Sequence, residues 1–108
     1  MKIGCDIVSL KRLKGKEETL AKGILSAKEH SLFEKAIHKD EFLGGRFAAK
    51  EAFLKARGTG IQGANLKEIE IIPLESGEPI LSFRNKTYPV SISHDGEYAF
   101  AVCIIEDL

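Results

Sequence analysis

The apolar positions change period halfway along the chain. Through residues 11–57 they recur at helical spacing, and from Leu66 onward they alternate or run continuously, as in strands. Residues 1–9 read as a short buried strand in which Asp6 stands among Ile3, Ile7 and Val8. Residues 11–24 and 26–37 are expected to be helical, and Ser26 with Glu29 forms a capping-box pattern. Asp40 is placed to cap a longer helix reaching about Arg57, which Gly58 then ends. Residues 66–73 alternate, Ser76-Gly77-Glu78-Pro79 makes a turn, and residues 80–83 follow as a strand. Residues 90–94 and 98–105 flank Asp95-Gly96-Glu97, a hairpin turn. The last strand is apolar on both faces, so it is expected inside the sheet or under another subunit. The pattern predicts an α+β fold: one compact domain with helices packed on a mainly antiparallel sheet.

The long helix carries the most informative residues. Phe47-Ala48-Ala49-Lys50-Glu51-Ala52-Phe53-Leu54-Lys55 sets Glu51 and Lys55 one turn apart. At about 100° per residue they share a narrow stripe with Gly44, Ala48 and Gly58, and small residues there allow close approach. Spacing alone leaves two readings open, an ordinary i,i+4 salt bridge or a pair of site residues. Arg46, Lys50 and Arg57 group on a different face, which reads as the solvated one, so the stripe favours a site. In the first strand, Asp6 is costly among apolar neighbours unless paired or metal-bound.

Composition narrows the function classes. The 108 residues fit a single domain, and a chain of this length buries enough surface to fold without staples. No apolar run approaches a membrane span, and Asp6 interrupts any resemblance to a secretion signal, so a cytoplasmic protein is expected. The two cysteines, Cys5 and Cys103, lie in apolar strand-like segments and read as buried, reduced thiols. Net charge is zero but unevenly spread: residues 1–22 hold six Lys or Arg against three acids, and residues 66–108 hold three against eight. The total argues against a nucleic-acid binder, and the asymmetry favours an acidic protein partner at the N-terminal part.

Four segments in order carry a resemblance: Gly4-Cys5-Asp6-Ile7-Val8, Glu41-Phe42-Leu43 leading into Gly45 through Phe53, Gly58-Thr59-Gly60-Ile61, and Val90-Ser91-Ile92-Ser93-His94. Together they are similar to the holo-acyl-carrier-protein synthases, the small bacterial 4'-phosphopantetheinyl transferases, over almost the whole chain. The resemblance implies attack by a carrier-protein serine on the β-phosphate of coenzyme A, transferring 4'-phosphopantetheine and releasing adenosine 3',5'-bisphosphate. It implies Mg²⁺ held by Asp6 and Glu51, with Lys55 on a phosphate beside it. It further implies coenzyme A contacts from Arg46, Lys55, Gly58, Thr59, Gly60 and His94, and a homotrimer binding coenzyme A between subunits.

Docking of the acidic acyl carrier protein is expected on Lys11, Arg12, Lys14 and Lys22, with Lys16 also available. Gly23 and Thr19 stand where the family often has arginine, and Gln62-Gly63 departs on the adenine side. Candidate bases for the serine proton are Glu51 and a metal-bound water oriented by Glu29. For Glu29 the capping role is the favoured reading. Two rival functions use the same residues differently: a catalytically silent carrier-binding module and a non-enzymatic nucleotide-binding regulator.

Overall fold

A computed structural model describes residues 1–58 and 65–106. Its element order is β1 (Lys2–Ser9), a 3-10 turn (Leu10–Arg12), α1 (Glu17–Ile24), α2 (Ala27–Lys35), α3 (Lys39–Arg57), a second 3-10 turn (Leu66–Glu68), β2 (Glu70–Pro73), β3 (Pro79–Phe83), β4 (Lys86–Asp95) and β5 (Tyr98–Ile105). The strands form one sheet in the order β1-β5-β4-β3-β2, and every neighbouring pair is antiparallel. The expected α+β architecture is present, and β5 is an interior strand between β1 and β4.

Helix α3 lies across β1 and β5, and this packing is the frame of the site. Its alanines are small enough for close approach: Ala48, Ala49, Ala52 and Ala56 are all buried. From the sheet, Val8, Ala99, Ala101, Cys103 and Ile105 meet them, one face of the strand alternation. Gly4 sets the closest point. A Cβ there would run into the carbonyl oxygen of Ala52 and stand 2.7 Å from the amide nitrogen of Ala56, so only glycine lets the two backbones approach this far.

Several element ends follow the expected chemistry. Ser26 caps α2 by accepting from the Glu29 amide at 3.3 Å while the Glu29 carboxylate accepts from the Ser26 amide at 3.0 Å. Gly58 closes α3 in the left-handed conformation, its N–H donating to the Leu54 and Lys55 carbonyls. The hairpin between β4 and β5 turns through Gly96 and Glu97, with Asp95 paired to Tyr98.

Other boundaries differ. The expected helix over residues 11–24 is divided: Gly15, at φ +81°, breaks it into the first 3-10 turn and the shorter α1. Asp40 does not cap α3; His38 holds the cap position, and Asp40 sits in the first turn, accepting from the Glu41 amide at 2.9 Å. Residues 66–68 form a 3-10 turn, not the start of a strand, because the Asn65 side chain accepts from the Lys67 amide and curls the backbone.

Candidate active site

The Gly4 contact brings the strand and helix carboxylates together. Asp6, two residues along β1 from Gly4, projects to the α3 side and meets Lys55, whose ammonium donates to Asp6 Oδ1 at 2.9 Å. Glu51, one turn earlier on α3, completes the group, but its Oε1 is buried and has no hydrogen-bond partner. Burial raises the Glu51 carboxyl above its ordinary range, the Asp6 charge raises it further, and Lys55 opposes both. Lys55 is raised in turn, chiefly by its hydrogen bond to Asp6. Two carboxylates, one with an orphaned oxygen, make a chemically suitable donor set for a hard divalent cation, which needs only one or two protein oxygens. Among the described residues no three His, Cys, Asp or Glu side chains gather as a metal-binding group, so this site offers two carboxylates and no third such ligand.

Asp6 and Glu51 open into a cleft of about 560 Å³ between β1, α1 and α3. Its walls are apolar, with Val8, Leu13, Leu20, Ile24 and Phe47 among them, and Arg12 and Lys16 stand at its polar side. Of the expected docking residues, Arg12 thus borders the carboxylate cleft. Lys11, Lys14 and Lys22 are exposed, and Lys11 pairs with Glu97 at 3.2 Å.

Arg46 and His94 occupy a different groove, of about 380 Å³, beside the start of α3 and the β2–β3 turn. His94 donates from Nε2 to the Glu41 carbonyl at 3.0 Å, and Gly45 leaves room for its ring, since a Cβ there would stand 3.0 Å from that nitrogen. Arg46 is held from three sides. It lies 3.8 Å above the Phe42 ring, donates to the Ile71 carbonyl at 3.2 Å, and sets its Nε 3.9 Å from the Glu29 carboxylate. His38 also lines this groove, a contribution that nothing in its sequence neighbourhood announces. The structure therefore separates Arg46 and His94 from the carboxylate cleft of the same chain. Gly58 is in place at the end of α3, whereas Thr59 and Gly60 lie outside the described residues.

The assignment of Lys50 to a solvated face is incorrect. Lys50 is fully buried, and its ammonium donates to Glu29 Oε1 at 2.6 Å, to the Ile24 carbonyl at 2.6 Å and to the Leu66 carbonyl at 3.0 Å. Burial lowers its pKa, and the Glu29 charge opposes that shift. Arg46, assigned to the same face, is also mostly buried, with 14% of its side chain exposed. Glu29 is equally enclosed: Oε1 accepts from Lys50 and the Ser26 amide, and Oε2 accepts from the Ile71 amide at 2.9 Å. Both oxygens are committed inside the fold, so Glu29 does not orient a water for catalysis. It caps α2 and ties that helix to α3 and β2, and Lys50 extends the link to the end of α1 through the Ile24 carbonyl.

The sheet face away from α3 is open and apolar. Ile3 and Ile7 of β1 are 62% and 63% exposed, and Tyr98 and Phe100 of β5 are 51% and 41% exposed. Cys5 lies on this face and is exposed, contrary to the expectation of burial, because odd positions of β1 point away from the helix. Cys103 is buried as expected, and that burial pushes its thiol up to about 11. No described helix is long and apolar enough to cross a membrane.

Comparison with known proteins gives one consistent relationship. The family profile described as the 4'-phosphopantetheinyl transferase superfamily matches residues 2–103. A holo-[acyl-carrier-protein] synthase of Streptococcus equi subsp. zooepidemicus is 41% identical over 108 residues, covering 95% of this chain and 91% of its own length. One from Geobacillus sp. (strain WCH70) is 43% identical over 114 residues, covering 98% and 96%. Among solved structures, the Bacillus anthracis holo-(acyl-carrier-protein) synthase in complex with CoA (3',5'-ADP) superposes with a TM-score of 0.85 at 36% identity, over 94% of this chain and 92% of the other. The Neisseria meningitidis holo-[acyl-carrier-protein] synthase superposes with a TM-score of 0.88 at 34% identity, over 98% of each.

Proposed function

The chain belongs to the 4'-phosphopantetheinyl transferase superfamily, among the holo-acyl-carrier-protein synthases, and from that premise we propose that Asp6 and Glu51 hold Mg²⁺ and that the working unit is a homotrimer. The enzyme transfers 4'-phosphopantetheine from coenzyme A to a serine of apo acyl carrier protein, giving holo carrier and adenosine 3',5'-bisphosphate. The serine oxygen bonds to the β-phosphorus, the bond to the bridging pyrophosphate oxygen breaks, and the serine proton must leave. We place this activity in the cytoplasm and in lipid metabolism, where fatty acid biosynthesis uses the holo carrier.

The single observation that carries the metal reading is the buried, unpartnered Glu51 Oε1 beside Asp6 at the mouth of a cleft. Mg²⁺ bound there supplies charge neutralisation for the leaving phosphate and a template for the pyrophosphate. Lys55, at the rim of the same group, is placed to meet a phosphate oxygen with its ammonium. With Glu29 committed internally, Glu51 is the remaining side-chain candidate for proton acceptor. Arg12 and Lys16 set positive charge beside the cleft, suited to an acidic carrier, and Lys11, Lys14 and Lys22 extend it.

The trimer reading rests on the open sheet face. A patch joining Ile3, Ile7, Tyr98 and Phe100 is of a kind that monomeric proteins rarely leave in water. It also answers why Arg46 and His94 stand in a second groove: in a closed ring, one protomer's His94 can serve the nucleotide whose phosphates lie at the next protomer's Asp6 and Glu51.

The test is incubation of the protein with apo carrier, coenzyme A and Mg²⁺, followed by intact mass of the carrier. A mass gain of one phosphopantetheine is expected; an unchanged carrier indicates a silent module on the same fold. Asp6→Asn and Glu51→Gln keep shape but remove one charge each, and each is expected to lose at least about a hundredfold in rate. Full activity of either variant at limiting Mg²⁺ refutes the metal assignment.

A further inference from the structure

Asp6 answers to two cations. Lys55 Nζ already donates to Asp6 Oδ1 at 2.9 Å, spanning from α3 to β1, while the proposed function gives the same carboxylate to Mg²⁺. An ammonium seated on a carboxylate oxygen both occupies a ligand position and repels an incoming cation. Lys55 is nonetheless free to leave: its side chain is 55% exposed on a flexible stem, and half-exposed ion pairs are weak and readily exchanged. Glu51 has no such partner, so Asp6 is where the competition falls.

We propose that Lys55 is a stand-in for the metal, holding Asp6 until a phosphate of coenzyme A draws the ammonium away, so that the divalent cation and coenzyme A bind cooperatively and the cation alone binds poorly. This deepens the proposed function and rests on its assignment of Asp6 and Glu51 to the metal. The coupling has a direct origin. Without a phosphate, a cation reaching Asp6 must break the Lys55 contact and leave an ammonium beside the new charge. With coenzyme A bound, Lys55 has an anion of its own and Asp6 is released. Linkage then requires the cation to raise the affinity for coenzyme A by the same factor.

The experiment measures metal binding, not turnover. Free Mn²⁺ is followed by electron paramagnetic resonance during titration of the full chain, with Mg²⁺ as competitor, in the presence and absence of coenzyme A. Without coenzyme A, Lys55→Met is expected to bind Mn²⁺ at least about fivefold more tightly than the unaltered protein, and Lys55→Gln to follow in the same direction. The gain in Mn²⁺ affinity on adding coenzyme A should be larger in the unaltered protein than in Lys55→Met, whose remaining gain measures what the phosphates contribute directly. Adding Asp6→Asn to Lys55→Met should abolish the tighter binding. Equal or weaker Mn²⁺ binding by Lys55→Met and Lys55→Gln, with Asp6→Asn still lowering affinity, overturns the stand-in role and leaves the metal site standing. Mn²⁺ affinity indifferent to Asp6→Asn in every background, coenzyme A included, removes the metal assignment and this inference with it.

Discussion

Replacing Lys50 with methionine should destabilise the protein strongly. The ammonium is fully buried and makes three hydrogen bonds, to Glu29 Oε1 and to the carbonyls of Ile24 and Leu66. Methionine fills much of the same space but leaves two backbone acceptors without this donor and the Glu29 carboxylate without its counter-ion. Breaking a buried pair from one side costs about 3–5 kcal/mol, against a total stability of roughly 5–15 kcal/mol for a domain. At roughly 4–8 °C per kcal/mol, the melting temperature should fall by at least about 12 °C. The two backbone amides on Glu29, from Ser26 and Ile71, hold the carboxylate in place and keep the loss from growing further. Urea unfolding followed by circular dichroism gives the free energies, with slopes compared to check that the unfolded states match. Glu29→Gln and the double variant Lys50→Met/Glu29→Gln complete a cycle. The double variant should cost less than the sum of the singles by about 1–3 kcal/mol, because it removes both stranded charges. A Lys50→Met loss under about 1 kcal/mol, or strict additivity, would show that the pair does not act as a unit.

Three further outcomes are expected. Because the folded protein raises the Glu51 carboxyl, the stability tied to that group is fully present below its unfolded value, roughly pH 4–5, and is lost as pH rises through the folded one. Glu51→Gln should therefore melt higher than the unaltered protein at neutral pH without divalent cations, and the gap should close in acid; a pH-independent difference contradicts the assignment. Charge reversal at Lys11 and Lys14, which do not line the carboxylate cleft, should raise KM for the carrier and flatten its salt dependence while coenzyme A binding stays unchanged, as rim charges act mainly on encounter; an unmoved carrier KM across a salt series places docking elsewhere. After dissociation and reassembly, mixing Asp6→Asn with His94→Ala should recover activity at roughly one quarter of sites, the fraction pairing two intact halves in a closed ring. A mixture no more active than its parents, with hybrid trimers confirmed by native mass spectrometry, refutes the shared site.

The residues that define the carboxylate cleft could be read from the chain because their oddity is local. Asp6 breaks an apolar strand, and Glu51 with Lys55 interrupts a stripe of small residues, so each announces itself within a few positions. Lys50 could not be read this way. Its partner Glu29 lies 21 residues earlier on another helix, and its helical position beside Arg46 imitates an ordinary solvated face. For Glu29 the sequence offers the capping box and a water-orienting role, and the pattern that predicts the two capping hydrogen bonds says nothing of the contacts to Lys50 and Ile71 made after folding. The exposure of Cys5 follows from a similar limit: apolar residues on both sides of β1 conceal which side meets α3. The division of the first predicted helix was within reach, as Gly15 can adopt the left-handed φ that helices exclude.

Gly4 gives the carboxylate cleft a fixed gauge. Where β1 meets α3, backbone stands against backbone, with no side chain between that could be trimmed or enlarged to move the two elements apart or together. The distance separating Asp6 from Glu51 and Lys55 is consequently a property of the scaffold, and remodelling has only the side-chain tips to work with. Lengthening Asp6 to glutamate, or exchanging the Lys55 head group, can retune the cleft for another cation; repacking the surrounding core cannot. Chimeras between relatives face the same rule. A strand β1 transplanted without Gly4, or an α3 bearing bulk at Ala52 or Ala56, will bring two halves that are each sound and cannot seat on one another.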